Sequence, residues 1–272
     1  MDYSITNICA PYKSVGISIS LQPVKVPYFT NLEIRSPTGT IFERTYSDYC
    51  VTKDLVDILR IPDLKIDQLD IGGLVFNQKE FFSRVIKALE ENSLKIRAET
   101  VHFHVTNKQL TKKHVELLRH FDVDALHGIE INTHVLDDAF QEMVTTEQWK
   151  KAKRLTMFQF TNSVGIENFL HFQKVFLIDY PKITPNDCWK MIQSFRNGNI
   201  PPGSFFDISG TKVDISGVIE MFDVPVRCED RDSEYVKHIQ HFKLEDDYIL
   251  EVRLYEDKIL SRKGKKEDLL EF

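Results

Sequence analysis

Gln78-Lys79-Glu80-Phe81-Phe82-Ser83-Arg84-Val85-Ile86-Lys87-Ala88-Leu89-Glu90-Glu91, followed after a short connection by Glu99-Thr100-Val101-His102-Phe103-His104-Val105, decides the fold. The first run gathers Phe81, Phe82, Val85, Ile86 and Leu89 on one side of a helix, and the second alternates with period two. Helix, turn, strand is therefore one unit, and the same plan recurs on both sides of it. Strand cores are predicted at Leu69–Ile71, Val101–Val105, Ile129–Ile131, Leu155–Phe160, Val175–Ile178 and Phe205–Ile208, with centres about 20 to 33 residues apart. A single unit of that size cannot cover its own apolar face and has to stack on its neighbours. The expected fold class is an α/β, leucine-rich-repeat-like right-handed solenoid, with parallel strands on one face and helices on the other, because crossovers between parallel strands are almost always right-handed.

Local signals support the units. Asp54–Leu59 reads as a short helix ended before Pro62, and Thr111 as the cap of a helix carrying Val115, Leu117 and Leu118. Asp137–Val144 and Glu147–Ala152 form a helix broken at Thr145-Thr146, with Trp149, Ala152 and Leu155 as its anchors. Ile166–Phe172 is a compressed unit. Thr184-Pro185 opens a helix bearing Cys188, Trp189, Ile192 and Phe195, and Gly198 with Pro201-Pro202-Gly203 ends it.

The ends differ from the middle. Val15–Leu21 alternates, and Leu32–Tyr46 reads as a hairpin turning at Ser36-Pro37-Thr38-Gly39. Tyr235–Phe242, Tyr248–Tyr255 and the stretch through Ile259 read as antiparallel strands joined by Glu245-Asp246-Asp247 and Glu256-Asp257. A repeat array has to hide its open ends, so β caps are expected at both. The organisation read from this is an N-terminal β cap or linker over 1–50, a solenoid with its antiparallel end over 51–260, and a charged tail over 261–272.

Composition narrows the function classes. Among 272 residues, 42% hydrophobic and 28% charged content is that of a globular chain, and a net charge of −6 gives no general attraction for nucleic acid or an anionic membrane. No apolar run reaches membrane-spanning length, and the start lacks the pattern of a secretory signal. Cys9, Cys50, Cys188 and Cys228 are far apart and read as reduced thiols of an intracellular protein, cytoplasmic or nuclear; two long-range disulfides are the alternative.

Glu147-Gln148-Trp149-Lys150-x-Ala152-Lys153-x-Leu155, preceded by three helix–strand units and followed by Phe169, Phe172, Val175, Phe205 and Ile249-Leu250-x-Val252, resembles the FTH domain. That domain lies C-terminal to the F-box in a large nematode family of F-box proteins, and the resemblance covers roughly residues 55–255. It implies a substrate-receptor-like module that binds a target protein for a cullin-type ubiquitin ligase. The N-terminal residues lack the Leu-Pro opening and the three-helix apolar pattern of an F-box, so contact with a Skp-type adaptor requires an F-box outside this chain. A scaffold or antagonist that binds a protein partner without ligase recruitment is the alternative.

Candidate site residues follow from alternation. If Val101, Phe103, Ile129 and Ile131 face the core, His102, His104, Glu130 and Asn132 share the other face, with Gln159 adjoining in the register that puts Leu155 and Met157 on its side. This polar patch is the expected protein-binding surface, against the alternative of a merely solvated face. His102 and His104 could chelate zinc with His127 or His134, but no Cys-x-x-Cys or His-Glu-x-x-His accompanies them, and no metal or other cofactor is expected. Lys150, Lys151, Lys153 and Arg154 form an alternative basic patch, also readable as a solvated helix face. Cys188 is the natural nucleophile but sits on an apolar helix side with no base at a recognisable spacing, so no catalytic residue is assigned.

Overall fold

The computed structural model describes residues 17–23, 29–36, 38–72, 78–104, 109–158, 160, 164–198, 200–210, 212–223, 235–265 and 267. These divide into two compact units, Met1–Ala152 and Lys153–Phe272. Both are mixed α/β, with seven α-helices in total among the described residues.

In the first unit β1 (Ile17–Pro23), β2 (Phe29–Ser36) and β3 (Gly39–Ser47) lead directly into α1 (Asp48–Leu59). Then come β4 (Ile66–Gly72), α2 (Gln78–Glu91), β5 (Ala98–His104), β6 (Gln109–Leu110), α3 (Lys112–Leu118), β7 (Gly128–Asn132), β8 (His134–Val135), α4 (Asp137–Met143) and α5 (Glu147–Lys151). The strands run in the order β7-β5-β4-β1-β2-β3, while β6 and β8 make a separate parallel pair. β1 lies parallel to β4, as do β4 to β5 and β5 to β7, so the first strand extends the parallel run and only the β2–β3 hairpin reverses it.

Why one face is covered is visible in the burial. Leu69, Ile71, Val101, Phe103, Ile129 and Ile131 are at most 2% exposed, as are four of the five apolar residues of the α2 stripe, with Ile86 at 3%. Phe82 of α2 touches the His114 ring at 4.6 Å between centroids, and that ring meets Phe103 at 5.8 Å, which places α2 and α3 on the Phe103 side of the sheet. Thr146 begins α5 by accepting a hydrogen bond from the Trp149 N–H.

The second unit holds β9 (Arg154–Phe158), a 3-10 turn (Ile166–Phe169), β10 (Lys174–Tyr180), α6 (Pro185–Asn197), β11 (Phe205–Gly210), α7 (Ile215–Glu220), β12 (His238–Lys243), β13 (Tyr248–Leu254) and β14 (Lys258–Lys265). Its strands run β9-β10-β11-β14-β13-β12, parallel through β11 and antiparallel beyond. Phe195 of α6 packs on Phe206 at 5.0 Å, so α6 lies on the Phe206–Ile208 side. Gly210 has a φ of +151°, and a Cβ there would stand 2.3 Å from the Tyr180 carbonyl oxygen; only glycine allows β11 to come this close to the end of β10. In the β12–β13 connection Asp246 and Asp247 both adopt left-handed φ, the geometry a tight hairpin turn needs.

Several boundaries move. The strand read over Tyr235–Phe242 starts only at His238, with Tyr235 74% exposed, and the strand read to Phe160 stops at Phe158. Ile166–Phe172 shortens to one 3-10 turn, the economical form for so short a link. Val105, Gln159, Cys9, Cys228, the first residues of Val15–Leu21 and residues 266 and 268–272 of the tail lie outside the described residues, while 261–265, read as tail, belong to the last strand, which runs Lys258–Lys265.

The start of α6 supplies a test. Thr184 Oγ1 accepts from the Asp187 N–H at 3.2 Å, while Asp187 Oδ2 accepts from the Thr184 N–H at 3.0 Å, a reciprocal cap. Thr184→Ala is expected to cost about 1 kcal/mol in urea unfolding. An unchanged midpoint would show that Pro185 alone sets the helix start.

Candidate functional site

On the face of β4, β5 and β7 away from the helices, parallel register lines up Asp70, His102 and Glu130 on adjacent strands. His102 Nδ1 lies 2.9 Å from Asp70 Oδ1, which also accepts from Gln68 Nε2 at 2.7 Å. Asp70 and His102 are each about a quarter exposed, so the pair is reachable by a partner. The hydrogen bond to Asp70 holds the His102 imidazole above its ordinary pKa; burial opposes this, and the charges of Asp70 and Glu130 add to it. The charged form of His102 is thus favoured relative to a solvated imidazole, with Asp70 and Glu130 on the strands to either side.

His104 is exposed and its ring stands 5.9 Å from that of His102. Asn132, at the end of β7, is exposed as well. The structure thus brings His102, His104 and Glu130 onto neighbouring positions of one open face, and Gln159 lies outside the described residues. The row continues beyond what the sequence reading named. Asp70 pairs in register with Ser20 of β1, and Ser20 with Glu33 of β2. Glu33 binds Arg35 Nε at 2.8 Å and Thr40 Oγ1 at 2.9 Å, and the Arg35 bond draws its carboxyl below the ordinary value. Asp70 was missed because nothing local distinguishes it; only its position between Leu69 and Ile71 signals which face it takes.

The basic patch is less uniform than its sequence suggests. Lys150 pairs with Glu147 at 3.0 Å, and Lys151 with Asp124 at 3.5 Å, both at the surface. Lys153 is exposed, with its carbonyl accepting from the Gln173 and Lys174 N–H groups, and Arg154 begins β9. Surface pairs of this kind contribute little stability.

Cys188 is fully buried on α6, and burial first, then the nearby Asp187 charge, pushes its thiol up to about 12. It is a core residue. His127 Nδ1 lies 2.7 Å from the Ala125 carbonyl oxygen, and His134 sits in the β6–β8 pair. Among the described residues no group of three or more His, Cys, Asp or Glu is placed to hold a metal ion. None of their helices is long and apolar enough to cross a membrane.

These features, helix–strand units with an open polar face and the Gln148-Trp149-Lys150 helix seated in a core, define a class of α/β domain. The model of the FTH domain family matches residues 79–225, more than half of the chain, and the chain belongs to that family. No curated protein and no solved structure matches it.

Proposed function

We propose that the chain is a protein-recognition module with no chemistry of its own, built as a right-handed leucine-rich-repeat-like solenoid whose uncovered strand face meets the partner. In this reading it acts inside the cell as the substrate-receptor-like part of a cullin-type ubiquitin ligase, with a Skp-type adaptor engaged only through an F-box outside this chain. The observation that supports it most is the cross-strand row Asp70, His102 and Glu130, half-buried, with His102 hydrogen-bonded to Asp70, on a face that no helix covers among the described residues. A rigid polar array on regular strands is pre-organised, so little ordering cost accompanies contact. Membership in the FTH family points the same way.

Substituting His104 and Glu130 together by alanine is expected to weaken capture of an endogenous partner about tenfold or more, about 1.4 kcal/mol, with an unchanged thermal midpoint. A quantitative pull-down should include the Lys150, Lys151 and Lys153 triple alanine variant. Loss only in the triple variant would move the interface to the basic patch.

A further inference from the structure

The second unit has an open face of its own, and its chemistry is different. Val175 and Leu177 point into the core, as do Phe206 and Ile208, so Lys174 and Phe176 on β10 and Phe205 and Asp207 on β11 face the other way. Register sets Arg154, Lys174, Phe205, Arg262 and Glu251 in one row across five strands. The next row holds Phe176, Asp207, Leu260 and Arg253. Between them lies a groove of about 550 Å³.

Two aromatic rings form part of its lining. Phe176 is 36% exposed, one of two large apolar side chains so exposed among the described residues, and its ring meets the Phe205 ring edge-on at 5.7 Å. The acids within the groove are internally satisfied or suppressed. Glu251 is 6% exposed, accepts from Arg253 Nε at 2.7 Å and has His241 Nε2 at 2.9 Å. Burial holds the Asp207 carboxyl above the usual carboxylate range, with the Lys258 charge opposing it. What an incoming group meets is two rings flanked by Lys174, Arg253 and Arg262, with Arg154 next to Lys174 in the same row.

We propose that this groove takes an acidic segment of a partner protein, which inserts one aromatic or large aliphatic side chain against Phe176 and Phe205 and sets its carboxylates on the cationic row. The inference rests on the protein-recognition reading and names a second contact for it. A single-stranded nucleic acid could also use rings and cations. Here the two rings are edge-on to each other rather than presented as parallel platforms on which successive bases stack. A short acidic segment meets mainly the cationic row.

The test is fluorescence anisotropy on the full chain with a labelled synthetic peptide, one phenylalanine flanked by glutamates. Controls are the same peptide with lysines for glutamates, with serine for phenylalanine, and an oligouridylate. The acidic phenylalanine peptide is expected to bind about tenfold or more tighter than each control. Phe176→Ser and Lys174→Glu should each weaken it by a similar factor at unchanged thermal midpoint, while Lys182→Glu, exposed outside the groove, leaves it intact. The proposal is overturned if the acidic peptide fails to saturate, if the lysine peptide binds as well, if either groove variant binds like the wild type, or if oligouridylate binds more tightly and is lost in the same variants. A silent groove with partner capture still lost in the His104 and Glu130 variant removes the groove alone. Silence in both removes the recognition reading.

Discussion

Trp149→Ala is expected to destabilise the first unit by about 3–5 kcal/mol in urea unfolding, whereas Lys151→Ala stays within about 0.5 kcal/mol. Trp149 is 1% exposed and meets Phe140 of α4 edge-on at 5.8 Å, so truncation leaves a cavity that the neighbouring helix cannot fill without moving. The helix cannot readily shift to close it. Its N-terminus is fixed by Thr146, and its Gln148 amide donates to the Arg119 and Phe121 carbonyls at 3.2 and 2.8 Å. A site that cannot collapse retains its cavity, which is the expensive case. Lys151, two residues along, has a side chain 57% exposed and reaches Asp124, itself 91% exposed. The expected loss is a large share of a typical domain margin of about 5–15 kcal/mol. Equal midpoints for the two variants would contradict the helix seating.

The second large effect is a loss of stability in acid that passes through His114. This ring is 1% exposed between Phe82 and Phe103, with Nδ1 accepting from the Thr111 N–H at 3.1 Å. Nε2 therefore carries the proton of the neutral ring, and it is buried without a hydrogen-bond partner. A second proton on Nδ1 would break the bond to Thr111 and place a charge among phenyl rings. Burial accordingly pushes the pKa down to about 4 from an ordinary 6.5. Between those values the unfolded chain binds a proton that the folded chain refuses, so stability falls as pH is lowered through that window, by about 3 kcal/mol in full. The His102 pair has the opposite sign: its raised pKa contributes stability at low pH that is lost as pH rises. The readout is the difference in unfolding free energy between wild type and His114→Leu as pH is lowered from 7 to 4. Parallel curves for the two proteins would sink the assignment.

How far the sequence could be read depended on how local each signal was. α2 spans Gln78–Glu91 as its apolar stripe indicated, and four of the six proposed strand cores lie wholly within strands, with the other two, Val101–Val105 and Leu155–Phe160, covered as far as His104 and Phe158, because periodicity is written in the residues themselves. α7 went unread since Ile215-Ser216-Gly217-Val218 looks like a turn; it holds because Asp214 accepts from the Gly217 N–H and Val218 is buried. α1 starts at Asp48, earlier than its clearest stripe, and Thr111 was placed correctly as a helix boundary without sight of His114 as its partner. The contact of Asp70 with His102 required strand register, which no single stretch encodes. Phe176 stood in plain view between Val175 and Leu177, where alternation turns a large ring outward.

That alternation separates two kinds of selection along one strand. In β5, Val101 and Phe103 are buried in the core, while His102 and His104 lie on the opposite, partly open face. A change at the second pair leaves the apolar contacts of the first intact, so the open face can vary at little risk to the scaffold. Protein lineages that diversify by duplication need such a division, since a copy that loses its old target must still fold while it acquires another.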